Sequence, residues 1–182
     1  MLKEHGQGSR PPSKARVLTA GLIGNVMEWY DFALYGYFAT VIGQQFFPST
    51  NPTASLIGAF GAFAAGFIVR PLGGIVYGRI GDLVGRRRAL TLSVIAMAVP
   101  TVAMAFLPTH AQIGIAAPIA VVLLRLLQGI SAGGEYTTSI IFLAEAAPER
   151  QRGFFSIWGL WGSVLGMLMG FAFGDLLTRT LT

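Results

Sequence analysis

"GRIGDLVGRRRAL", residues 78–90, gathers four arginines, one aspartate and three glycines between two long apolar runs. In a soluble protein such a basic knot suggests a nucleic-acid surface. Here its flanks decide otherwise. A bilayer core of roughly 30 Å is crossed by about 20 mainly apolar helical residues, and the runs on either side are each that long. The stretch therefore reads as a charged connection between two membrane helices.

Working outward, five segments have this character, predicted as helices over about 17–42, 54–77, 89–107, 118–143 and 154–177, preceded by a polar tail over 1–16. "FFPSTNPT", Gly81 and Gly85, "LPTH" and Pro148 punctuate the breaks. The composition agrees: of 182 residues 53% are hydrophobic and only 12% charged, with 24 glycines and no cysteine. The fold class expected is an all-α membrane protein. Absence of cysteine removes disulfides, thiolate metal sites and cysteine nucleophiles. No metal or cofactor is expected, nor an enzyme, since no histidine lies in a span and no nucleophile adjoins a base. The formal charge of +5 is not read as nucleic-acid binding, because the bases fall between apolar runs.

That distribution sets orientation. Lys3, Arg10, Lys14 and Arg16 precede the first segment, Arg79, Arg86, Arg87 and Arg88 follow the second, and Arg150 and Arg152 follow the fourth. The alternate connections, 43–53 and 108–117, carry none. Cytoplasmic loops are enriched in Lys and Arg, so the N-terminus is expected on the cytoplasmic side of the plasma (inner) membrane.

Five ionisable residues, Glu28, Asp31, Arg70, Arg125 and Glu135, fall within the segments. Facing lipid at the bilayer centre, each would cost about 2.5–3.5 kcal/mol, so they are expected to face a polar interior. Asn25, Glu28, Asp31 and Tyr35 recur at spacings of three and four and form one stripe. Gln128 and Glu135 share a face near Arg125, with Gly129 and Gly133 on the other side. Depth pairs Arg125 with Glu28 or Asp31, and Glu135 with Arg70. Three acids against two arginines leave one carboxyl without a fixed cation, a candidate proton carrier. The substrate and proton pathway is thus assigned to Asn25, Glu28, Asp31, Tyr35, Arg125, Gln128 and Glu135. Rows of small residues at intervals of four, Gly162, Gly166, Gly170 and Gly174, and Gly58, Ala62 and Gly66, predict close helix packing.

The residues now resemble a known family. Gly78, Asp82, Gly85, Arg86, Arg87 and Arg88 match the signature loop between helices 2 and 3 of the major facilitator superfamily. "GNVMEWYDFALYGY" (24–37), "RPLGG" (70–74) and "RLLQGISAGGEY" (125–136) resemble its metabolite:proton symporters. "LAEAAPERQRG" (143–153) is similar to the superfamily's loop between helices 4 and 5. Leu83 departs from the signature, where a basic residue is common. The resemblance implies a cytoplasmic gate made of Gly78, Asp82, Gly85, Arg86, Arg87 and Arg88 with Glu145 and Arg152.

It further implies a secondary active, proton-coupled symporter of a small organic solute (an organic acid, betaine or amino-acid-like molecule) working by alternating access. Five segments correspond to most of the first six-helix half of such a transporter, so the chain is expected to be its N-terminal part. Its partners would be the solute, protons, the bilayer, and a missing C-terminal half or another membrane protein. The alternative is a truncated membrane protein without autonomous transport, either inert or acting as an interaction subunit.

Overall fold

A computed structural model describes residues 14–181, which are helical over nearly their whole length; no strand occurs among them. The backbone explains this: without water to receive N–H and C=O groups, a membrane segment must satisfy them internally.

The first rod consists of α1 (Lys14–Tyr37) and α2 (Ala39–Phe46). Its ladder passes through Phe38, which donates to the Leu34 carbonyl and accepts from the Ile42 N–H, both at 2.9 Å. The helix begins at Lys14, so the last three residues assigned to the polar tail belong to it; residues 1–13 of that tail lie outside the described residues.

Helix α3 (Pro52–Ile68) is capped by Asn51, whose side chain accepts from the Thr53 N–H at 2.9 Å, while Pro52 opens the first turn, where a missing N–H costs nothing. Helix α4 (Arg70–Val84) follows after a break at Val69. Its second residue, Pro71, has no N–H to return to the preceding turn. Helix α5 (Arg86–Ala105) is entered through Gly85 at φ 97° and ψ 146°, a backbone conformation reserved in practice for glycine. The loop expected over 78–88 is therefore a corner one residue long. Gly78, Arg79 and Asp82 lie on the last turns of α4, and Arg86, Arg87 and Arg88 on the first turn of α5.

A short α6 (His110–Ile113) leads to α7 (Ala116–Ala146), and a 3-10 turn (Glu149–Gln151) leads to α8 (Arg152–Leu181). Among the described residues four stretches are long and apolar enough to cross a membrane, Pro52–Val84, Arg86–Ala105, Ala116–Glu145 and Glu149–Thr180. The first of the five expected spans is not among them. Asn25, Glu28 and Asp31 dilute its apolar character, although α1 lies beside α8 from Leu22 to Tyr37.

Glycine rows make the seams. On α8 a Cβ at Gly162 would fall 3.0 Å from the Leu22 carbonyl oxygen, at Gly170 2.6 Å from the Ala33 Cβ, and at Gly174 2.9 Å from the Tyr37 ring, all on α1. On α7, Gly129 abuts the carbonyl of Gly66 and Gly133 that of Arg70, while Gly73 of α4 abuts the carbonyl of Ile130. Gly129 and Gly133 thus face α3 and α4, on the side of α7 that also borders the spaces beside Arg125 and Arg70 rather than on the far side expected. Both expected small-residue rows are used inside the bundle.

The interior is polar. Gln128, Glu28, Glu135 and Asn25 are among the largest fully buried side chains, whereas Ile68, Leu83, Val99, Phe106 and Leu168 are exposed. Water would penalise that partition. A hydrocarbon solvent favours it, since apolar side chains lose nothing by facing lipid and charged ones must turn inward.

Candidate solute pathway

The polar seam lies where α1 meets α3, α4 and α7. Asp31 of α1 takes the Arg125 Nη1–H at 2.7 Å, so one of the two carboxylates expected for Arg125 is its partner. Gln128, one turn on, reaches Asp31 Oδ1 at 3.5 Å and donates to Thr101 Oγ1 on α5 at 2.8 Å. Thr101 in turn donates to the Met97 carbonyl at 3.0 Å. One network therefore ties three helices together around Arg125, which is 3% exposed.

The second arginine departs from expectation. Arg70 pairs with Glu28, not with Glu135. Glu135, 1% exposed, has no hydrogen-bond partner at either carboxylate oxygen among the described residues. It lies against Gly24, where any Cβ would collide with Glu135 Oε1. Asn25 donates to Ser139 Oγ at 3.1 Å, one turn further along α7.

Each arginine is held by aromatic rings as well as by an acid. The Arg125 guanidinium lies 3.7 Å from the Tyr35 ring centroid, and Tyr35 stacks on Phe63 at 5.4 Å while donating its hydroxyl to the Ala59 carbonyl at 2.9 Å. Arg70 lies 4.2 Å from the centroid of Phe67 and 4.7 Å from that of Phe32. Attraction between a cation and a ring face strengthens when water is excluded. A planar, delocalised guanidinium suits this bracketing better than an ammonium would.

This disposition, charges on the inside of an apolar helical bundle, is accompanied by a match of residues 17–181 to the family described as sugar (and other) transporter. The chain belongs to that family, within the major facilitator superfamily. The family is one of transporters rather than enzymes, and its member here is an integral membrane protein. Among curated relatives, the glycine betaine/proline/ectoine/pipecolic acid transporter OusA of Dickeya dadantii is 43% identical over 85% of the chain and 31% of its own length. The proline/betaine transporter of Escherichia coli K12 is 40% identical over the same shares. The ectoine/proline transporter ProP of Corynebacterium glutamicum is 42% identical over 88% of the chain and 32% of its own length. The chain thus spans about a third of the relatives it matches. No solved structure matches it.

At the α4–α5 corner the superfamily signature forms a compact ion group. Arg86 pairs with Asp82 at 3.0 Å, one turn back across Gly85, and its Nε approaches Glu145 of α7 at 3.9 Å. Gly81 clears the way, since a Cβ there would stand 2.9 Å from Arg86 Nη1. Arg87 and Arg88 are exposed, and Arg152 makes no ion pair among the described residues, so the structure brings together three of the charged residues assigned to the gate.

Sequence reasoning did not single out Phe32, Phe63 or Phe67, the rings beside the two arginines, or place Arg70 among the candidate pathway residues. A signal was present: Phe63, Phe67 and Arg70 are spaced by four and three, the spacing of one helix face.

Proposed function

We propose that the chain is the N-terminal part of a proton-coupled symporter of small zwitterionic solutes such as betaine and proline, working by alternating access in the inner membrane with its N-terminus cytoplasmic. The relatives' substrates support the solute class, and the distribution of bases supports the orientation. The observation that carries the reading is the mismatch of charges inside the bundle. Two arginines are matched by Glu28 and Asp31, and Glu135 has no partner among the described residues. A buried carboxyl with no cation is costly as a fixed charge, but it suits a group that takes up and releases a proton in each cycle. Arg70 is already engaged by Glu28.

The test is uptake of labelled proline and glycine betaine by the complete native product in proteoliposomes, with and without an imposed pH gradient. The gradient should accelerate uptake. Glu135→Gln should remove most of that acceleration while solute exchange at equal pH persists. An unchanged response to the gradient in Glu135→Gln rejects the assignment of the proton to Glu135.

The Asp82–Arg86–Glu145 group would act as the cytoplasmic gate. Its ion pairs brace a corner that has only one residue of slack, and a second helical bundle, the expected partner, would close against it. Asp82→Asn should lower turnover severalfold while the amount inserted in the membrane, measured by surface labelling, stays near wild type. A parallel fall in both would make the pair a folding element instead.

A further inference from the structure

The two arginines sit in unlike surroundings. Around Arg125 the walls close: the space between Phe32, Phe63, Phe67, Arg125 and Gln128 is about 10 Å³, at the threshold for a single water. Beside Arg70 a cavity of about 420 Å³ is lined by Glu28, Trp29, Phe67, Arg70, Ala132 and Gly133, within the range of roughly 300–1,000 Å³ typical of small-molecule sites.

The ion pair in that cavity is only half used. Arg70 Nη2 serves Glu28 Oε1, but among the described residues the buried Arg70 Nε has no acceptor, Glu28 Oε2 has no donor, and the Trp29 indole N–H has no acceptor. Buried polar atoms in proteins are nearly always satisfied. Two free donors and one free anionic oxygen on residues of a single cavity match a molecule that carries a carboxylate at one end and a cation at the other. Phe67 adds aromatic surface whose attraction for a cation is already expressed in its contact with Arg70.

Resting on the reading of the chain as a zwitterion transporter, we propose that this cavity is the solute's docking site. Arg70 and the Trp29 indole take its carboxylate, and Phe67 with Glu28 takes its cationic nitrogen. The chemistry separates two kinds of solute. A secondary ammonium, as in proline, retains N–H donors for Glu28 Oε2. A fully methylated ammonium has none, and depends on the ring.

The experiment is equilibrium binding of labelled glycine betaine and labelled proline to the complete native product in nanodiscs, a measurement independent of proton coupling. Phe67→Leu is expected to weaken glycine betaine roughly tenfold more than it weakens proline, a difference of about 1.4 kcal/mol. Phe67→Tyr, which keeps the ring, should restore the wild-type ratio, and Arg70→Gln should weaken both solutes. If the wild type binds both and Phe67→Leu leaves the ratio unchanged in protein of wild-type melting temperature, the docking assignment is overturned and the transporter reading stands. If Phe67→Leu does not fold, a wild-type ratio in Arg70→Gln with undiminished affinities overturns it equally. If the wild type binds neither solute, the substrate class falls and the docking site with it.

Discussion

Gly129→Leu and Gly133→Leu are each expected to remove nearly all folded protein from the membrane. A Cβ at Gly129 would overlap the carbonyl of Gly66, and one at Gly133 the carbonyl of Arg70. These obstacles are backbone atoms of a hydrogen-bonded helix, which cannot rotate aside as a side chain can. To admit a side chain, α7 must separate from α3 and α4 along their whole seam, which carries both arginines of the polar interior. Even alanine at either position is expected to reduce the yield sharply. Gly36 and Gly61 provide the comparison, because nothing lies within 4 Å of a Cβ at either. There alanine should be neutral or gain up to about 1 kcal/mol from helix propensity. Yield and monodispersity of tagged protein on size exclusion would measure all of these.

Arg125→Met is expected to cost nearly as much, by another route. It leaves Asp31 without its cation inside the bundle and empties the face of Tyr35. Removing one partner of a buried pair typically costs about 3–5 kcal/mol, whereas replacing both can be nearly neutral. The double variant Arg125→Met/Asp31→Leu should therefore recover part of the melting temperature lost by Arg125→Met alone. A double variant less stable than the single one would show that Asp31 also holds the bundle together through Gln128.

Comparison of the two arginines marks how far the sequence could be read. Arg125 could be narrowed to Glu28 or Asp31 from depth and charge because all three sit within uninterrupted helices, where 1.5 Å per residue holds. Arg70 could not. A single helix over 54–77 was expected, yet the chain breaks at Val69 ahead of Pro71, so depth counted along one straight helix does not carry to Arg70, although the face it shares with Phe63 and Phe67 does. Arg70 pairs with Glu28, and Glu135 is left without a partner among the described residues. The glycine seams were legible because small residues at intervals of four have one geometric use in a bilayer. Phe32, Phe63 and Phe67 were hidden by abundance: among thirteen phenylalanines, most of them suited to lipid, composition does not distinguish the few that bracket a guanidinium. At the corner, charge revealed the connection but not its brevity, which depends on Gly85 alone adopting φ 97°.

The close seams between α1 and α8 and between α7 and α3–α4 also have a mechanical meaning. Where backbone meets backbone no layer of rotatable side chains lies between, so there is little shear compliance, and an applied displacement is transmitted rather than absorbed. Such a body behaves as a stiff lever. Under the alternating access proposed above, with two repeats rocking around a fixed site, this bundle would turn as one piece, and the work of each cycle would be done at its outer boundary.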